Sequence, residues 1–164
     1  MDATDLAHLD AALSCVPRGR YLMTAAHEGA RSGLVVHTLS RVGEDPVMLC
    51  VSAEKGHAID PLIRDARSFA IGVIDESDVM LTRRFAMRVD GDTGPCVHMH
   101  ASDPFDAIKH KTLVTGAPMP EQCATWFECE LSRRIDLDNE MELFVGRVVA
   151  VIHEGAESRL VSEG

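Results

Sequence analysis

The stretch from Glu142 to His153 leaves this chain few options. Between its ends it reads Leu-Phe-Val-Gly-Arg-Val-Val-Ala-Val-Ile, an apolar run rich in β-branched residues and broken only by Gly146 and Arg147. It falls short of the roughly 18 consecutive apolar residues that a membrane span needs. A run of this kind reads as a strand with both faces covered. Just before it, Phe127, Cys129 and Leu131 alternate with Glu128, Glu130 and Ser132, which predicts a half-buried strand over Trp126–Ser132. The second face of the Leu143–Ile152 strand needs cover, which a second copy of the chain would supply.

The N-terminal half supplies the other strands. Arg20–Glu28, Ser32–Val42 and Val47–Ala53 are rich in apolar and β-branched residues, and two turn-like tetrapeptides separate them: His27-Glu28-Gly29-Ala30 and Gly43-Glu44-Asp45-Pro46. Ser68–Ile74 reads as a further strand and His110–Thr115 as a short one. Helices are few. Thr4 is placed to cap one over the first 18 residues, with Leu6, Leu9 and Leu13 on one face and Pro17 and Gly19 ending it. Others are expected near His57–Ala66, where Pro61 fits only in or near the first turn, and at Glu76–Phe85. The expected fold is mainly β, a closed antiparallel, Greek-key-like barrel with short peripheral helices, which leaves no long exposed sheet edge. At 164 residues the chain, 1–164, has the length of one domain. Residues 86–104, with Gly91, Gly94, Pro95 and Pro104, form its least regular stretch and read as an excursion over a functional site or a partner surface.

Charge narrows the function. Sixteen Lys and Arg stand against 26 Asp and Glu, a formal net charge of −10, so the chain repels phosphate backbones and nucleic-acid binding is not expected. An aromatic content of 4% also argues against a base-stacking platform. The opening segment carries Asp2, Asp5 and Asp10 without Lys or Arg, unlike a secretory or mitochondrial leader. Five cysteines without a Cys-x-x-Cys pair, two of them (Cys50 and Cys129) inside apolar runs, fit a reduced, cytoplasmic protein. No membrane association is expected.

Nucleophile motifs are absent: there is no Gly-x-Ser-x-Gly elbow, no P-loop and no Gly-x-Gly-x-x-Gly. Cys96, His98 and His100 alternate as zinc or copper ligands could on a strand, but no second ligand cluster accompanies them. They read instead as a polar loop with solvated histidines, and no metal is assigned. Donors concentrate at two turns. His37, Thr38, Ser40 and Arg41 end the second strand, and Lys55, Gly56 and His57 open the helix after the third. A helix N-terminus with basic neighbours suits a phosphate dianion, although the same residues also describe an ordinary helix start with solvated side chains.

The order of these segments resembles the flavin reductase-like family of FMN-binding split barrels. The run from Gly33 to Phe69 is similar to that family's Gly-x-Thr-x-Asn-Ser-Phe-x-Ser-x-Ser-x-x-Pro stretch, followed by its apolar strand, polar turn and short helix. Phe69-Ala70, Asp103-Pro104-Phe105, Gly116-x-Pro118, Trp126-Phe127-Glu128-Cys129 and Phe144-Val145-Gly146 resemble its later signposts. Val35, His37, Thr38 and Gly43 replace the family's Thr, Asn, Ser and Ser, and Ile59 stands where a phosphate-binding hydroxyl is usual. Met141 stands where many NAD(P)H-oxidising members have a His.

The resemblance implies a homodimer binding FMN, or FAD as the alternative flavin, at His37, Thr38, Leu39, Ser40, Arg41, Lys55, Gly56 and His57. It also implies NAD(P)H as electron donor and a small-molecule electron acceptor, with no side chain assigned a catalytic role. A flavin carrier or sensor without catalysis, and a barrel that has lost flavin and serves as an interaction module, are the alternatives.

Overall fold

The computed structural model describes residues 2–86 and 103–160. Of the expected excursion, residues 87–102 lie outside the described residues, and so do Cys96, His98 and His100.

The chain opens with helix α1 (Ala3–Leu13). Strands β1 (Tyr21–His27), β2 (Ala30–Val36), β3 (Ser40–Glu44) and β4 (Val47–Glu54) follow, then α2 (Ile59–Ala66), β5 (Ser68–Val73) and α3 (Val79–Phe85). After residue 102 come the short strands β6 (His110–Lys111) and β7 (Met119–Pro120), the long β8 (Thr125–Asp136) and β9 (Met141–His153), and β10 (Ala156–Arg159). Eight strands form one antiparallel sheet in the order β2-β1-β5-β8-β9-β4-β3, with β10 on β9; β6 and β7 pair separately. The expected mainly β fold with few helices is the one observed.

Local chemistry sets most of the boundaries. Glu28 and Gly29 both take positive φ, 47° and 84°, the geometry of a tight two-residue hairpin between β1 and β2. The cap of α1 is Asp2 and not Thr4: its carboxylate accepts the N–H groups of Thr4 and Asp5, and Asp5 reaches back to the Asp2 N–H. A capping box of two acids suits the positive end of the helix better than a single hydroxyl. The second helix begins at Ile59, so Pro61 falls in the first turn, where no helical N–H is lost. The expected strand Ser32–Val42 is two strands, because the chain turns at His37–Leu39 between β2 and β3.

The interior holds Met23, Leu34, Val51, Phe69, Ile71 and Phe144, all at most 2% exposed, and α2 closes one end by inserting Ile59 and Ile63. Phe69 and Phe144 meet edge to face at 6.4 Å. Burial of each of these side chains is worth about 1.5–3 kcal/mol.

A second apolar layer lies on the outer face of the same sheet, where Leu22, Ala70 and Trp126 pack under Leu81, Phe85, Phe105 and Met119. This layer corrects the half-buried reading of Trp126–Ser132. Trp126 and Glu128 are each 1% exposed, because the segment after residue 102 folds back over them. Glu128 tolerates that position by accepting the Val114 and Thr115 N–H groups and the Thr115 hydroxyl, at 2.8, 3.1 and 2.7 Å. Arg31 secures the start of the segment: it pairs with Asp103 at 2.6 Å, donates to His110 Nε2 at 2.8 Å and lies over the Phe105 ring.

Candidate functional site

Thr38 marks the seam of the barrel. After β2 ends at Val36, the Thr38 hydroxyl crosses to β4, accepting the Ser52 N–H at 3.0 Å and sharing a second bond with the Ser52 hydroxyl. A cleft of about 380 Å³ opens along this seam. Its apolar wall comes from Leu34, Val35, Val36, Ala53, Ala86 and Met141, and its polar points are Arg18, His37, Thr38, Ser52, Glu54 and Thr82.

His37 is fixed by its neighbour across the turn. The Gly19 N–H donates to the His37 carbonyl at 3.1 Å, and His37 Nδ1 lies 3.0 Å from the Gly19 carbonyl. A carbonyl only accepts, so the ring proton sits on Nδ1. The backbone at Gly19 runs close under the Tyr21 ring, which a Cβ there would meet at 2.5 Å. The sequence thus builds a two-bond clasp between the approach to β1 and the exit of β2.

The other expected site residues are spread over three settings. Leu39 is half-buried against the barrel core, while Ser40 and Arg41 are exposed on β3. Arg41 pairs with Glu44 at 2.6 Å. Lys55 follows cleft residue Glu54, yet its ammonium goes to the Asp136 carboxylate and the Asn139 carbonyl on the β8–β9 turn. That bond, then the Asp138 N–H, holds the Asp136 carboxyl below its usual pKa. Gly56 takes φ +80° in open space. His57 is 2% exposed, and its Nδ1 accepts the Ile59 N–H at 3.1 Å at the start of α2. While that bond is held, the ring proton belongs on Nε2.

His37 and Thr38 therefore line the cleft, Lys55, Gly56 and His57 form the turn beside it, and Ser40 and Arg41 lie on the edge strand. Arg18, Ser52, Glu54, Thr82 and Ala86 were not legible as site residues. They come from three separate parts of the chain (the approach to β1, strand β4, and α3 with its C-cap) that only the folded barrel brings together, although the alternation of Ser52 and Glu54 along β4 placed them on a common face.

Neither buried described cysteine is a nucleophile: burial pushes the thiols of Cys123 and Cys129 up to about 12, helped by Asp78 and Glu128 respectively. Among the described residues no group of three or more His, Cys, Asp or Glu could hold a metal ion. No described helix is long and apolar enough to cross a membrane.

The flavin reductase like domain model matches residues 13–162, a span that contains the barrel, the seam and every cleft residue. The chain belongs to the flavin reductase-like family. Among its relatives, an FMN reductase (NADH), RutF, of Bradyrhizobium diazoefficiens is 24% identical over 93% of this chain and 79% of its own length. The NADH-dependent flavin reductase StyB of Pseudomonas fluorescens is 28% identical over 79% of this chain and 67% of its own. The NADH:FAD oxidoreductase of Streptomyces globisporus superposes with a TM-score of 0.72 at 18% identity, covering 98% of this chain and 96% of that one. The split-barrel fold of this flavin reductase-like chain is thus shared with solved members.

Proposed function

We propose that this chain is an NAD(P)H-dependent flavin reductase whose flavin, FMN in the first instance, lies in the cleft at the Thr38–Ser52 seam. The supporting observation is the composition of that cleft. Its volume of about 380 Å³ is in the range of small-molecule sites. An isoalloxazine is a flat apolar body with polar edges, and the cleft opposes an aliphatic wall to the hydroxyls of Thr38 and Ser52 and the ring of His37. These residues fit the group.

A bound flavin supplies hydride and electron transfer, so the chain needs no nucleophile of its own. What its residues contribute is position. The wall of Leu34, Val35, Val36 and Met141 excludes water, the Thr38–Ser52 pair fixes the seam, and the Gly19 clasp sets the His37 ring. The Lys55-Gly56-His57 turn borders the site, with Leu39 ending the turn after β2 and Ser40 and Arg41 on the strand leading away from it. The protein works in this reading as a cytoplasmic homodimer of single-domain chains reducing a small acceptor. Support for self-association is α1, which buries none of its residues and leaves Leu6, Leu9 and Leu13 at 43–53% exposure. Light scattering checks this: two copies give twice 17.9 kDa, and a stable 17.9 kDa species contradicts it.

One observation favours a second reading, a flavin carrier without turnover: Met141 in the cleft wall carries no exchangeable proton. NAD(P)H oxidation with added FMN separates the two. Turnover supports the reductase, whereas a flavin spectrum without NAD(P)H oxidation supports the carrier. Absence of both contradicts each.

A further inference from the structure

We infer that Arg18 is the residue that pairs with a phosphate of the nucleotide in the cleft; this deepens the flavin reading and rests on it. Two other cations near the site are already engaged, Arg41 by Glu44 and Lys55 by Asp136 and the Asn139 carbonyl. Arg18 is the cation among the described residues lining the cleft, and no described acid or carbonyl accepts from its guanidinium. A chain of net charge −10 needs such a local positive centre before it can hold a phosphate ester.

The backbone presents this side chain from a fixed mount. On one side of it, Gly19 is clasped to His37 by two hydrogen bonds of 3.0 and 3.1 Å. One residue further, the Arg20 carbonyl accepts the Ile74 N–H at 3.0 Å, and the Arg20 guanidinium donates to the Glu76 carbonyl. Pro17 stiffens the other side. Arg18 itself is exposed, with its planar fork of donors uncommitted, which is the form in which guanidinium recognises phosphate in a bidentate way. Two phosphates reach such a cleft by the same chemistry: the monoester of FMN and the pyrophosphate of NADH.

Titrating FMN and riboflavin against wild type, Arg18→Ala and Lys55→Ala, and measuring the KM for NADH, tests the assignment. Arg18 has no internal partner to lose, so its variant is expected to fold, as circular dichroism would show. If the FMN phosphate is the partner, Arg18→Ala weakens FMN binding roughly ten- to hundredfold and leaves riboflavin within about twofold. If the NADH pyrophosphate is the partner, both flavins bind as in wild type and the KM for NADH rises by a similar factor. Equal losses for the two flavins, no change in any ligand, or an FMN-selective loss in Lys55→Ala alone overturns it. Wild type that takes up neither flavin overturns the cleft reading itself, a result distinct from all of these.

Discussion

Thr38 Oγ1 accepts the Ser52 N–H at 3.0 Å and shares a second hydrogen bond with the Ser52 hydroxyl, so one side chain both closes the barrel between β2 and β4 and forms the polar edge of the cleft. Replacing Thr38 by Val keeps the shape and removes both bonds. The expected cost is about 0.5–1.5 kcal/mol in chemical denaturation, the net worth of an ordinary hydrogen bond. Flavin affinity should fall with it. An unchanged midpoint would show that the seam holds without Thr38.

The Lys55–Asp136 pair predicts a pH signature. The folded-state pKa of Asp136 is depressed, chiefly by the bond from Lys55, so the tie is present above the ordinary carboxylate range. It is lost only as the pH falls through that depressed value. Carboxyl NMR should place the Asp136 midpoint below the usual value of about 3.9 in wild type and move it upward in Lys55→Met. A midpoint that does not respond to Lys55→Met would contradict the pairing.

Arg134 bridges two carboxylates, donating to Glu142, whose side chain is 2% exposed, and to Asp60 at 2.8 Å. One oxygen of each acid, Asp60 Oδ1 and Glu142 Oε1, is buried without another partner. Arg134→Leu therefore leaves two acids uncompensated and should destabilise the fold by about 3 kcal/mol. Adding Glu142→Gln should restore part of that loss. Strictly additive losses in the double variant would show that the two side chains act independently.

Glu128→Gln probes the outer layer. The carboxylate gathers three donors from Val114 and Thr115, and an amide keeps only its carbonyl as acceptor. A loss of roughly 1–3 kcal/mol is expected, with faster hydrogen exchange at the Val114 and Thr115 amides. Unaltered exchange at both amides would argue that other contacts hold this segment down.

Much of the barrel was legible because its elements carry their own periodic signal. The Phe127, Cys129 and Leu131 alternation and the apolar run after Glu142 mark β8 and β9 directly. What escaped depends on partners distant in the chain. The β10 segment, Ala-Glu-Ser-Arg, is exposed throughout and exists because β9 offers it an edge. Burial of Trp126 and Glu128 together depends on the layer laid down by Phe105 and Met119. Of the expected site residues, His37 and Thr38 line the cleft, and they sit in a contiguous motif. Arg18 and Thr82 reach the same cleft from elements that share no sequence signal, and Lys55 meets an acid 81 residues away.

Equilibrium titration of FMN, followed by quenching of its fluorescence, tests the flavin cleft most directly when wild type is compared with Met141→Trp, which fills the cleft from β9. Saturable binding of one FMN per chain in wild type, abolished in Met141→Trp while the variant remains folded, is the expected result. No uptake by wild type, or uptake undiminished in Met141→Trp, would contradict a flavin site at the Thr38–Ser52 seam.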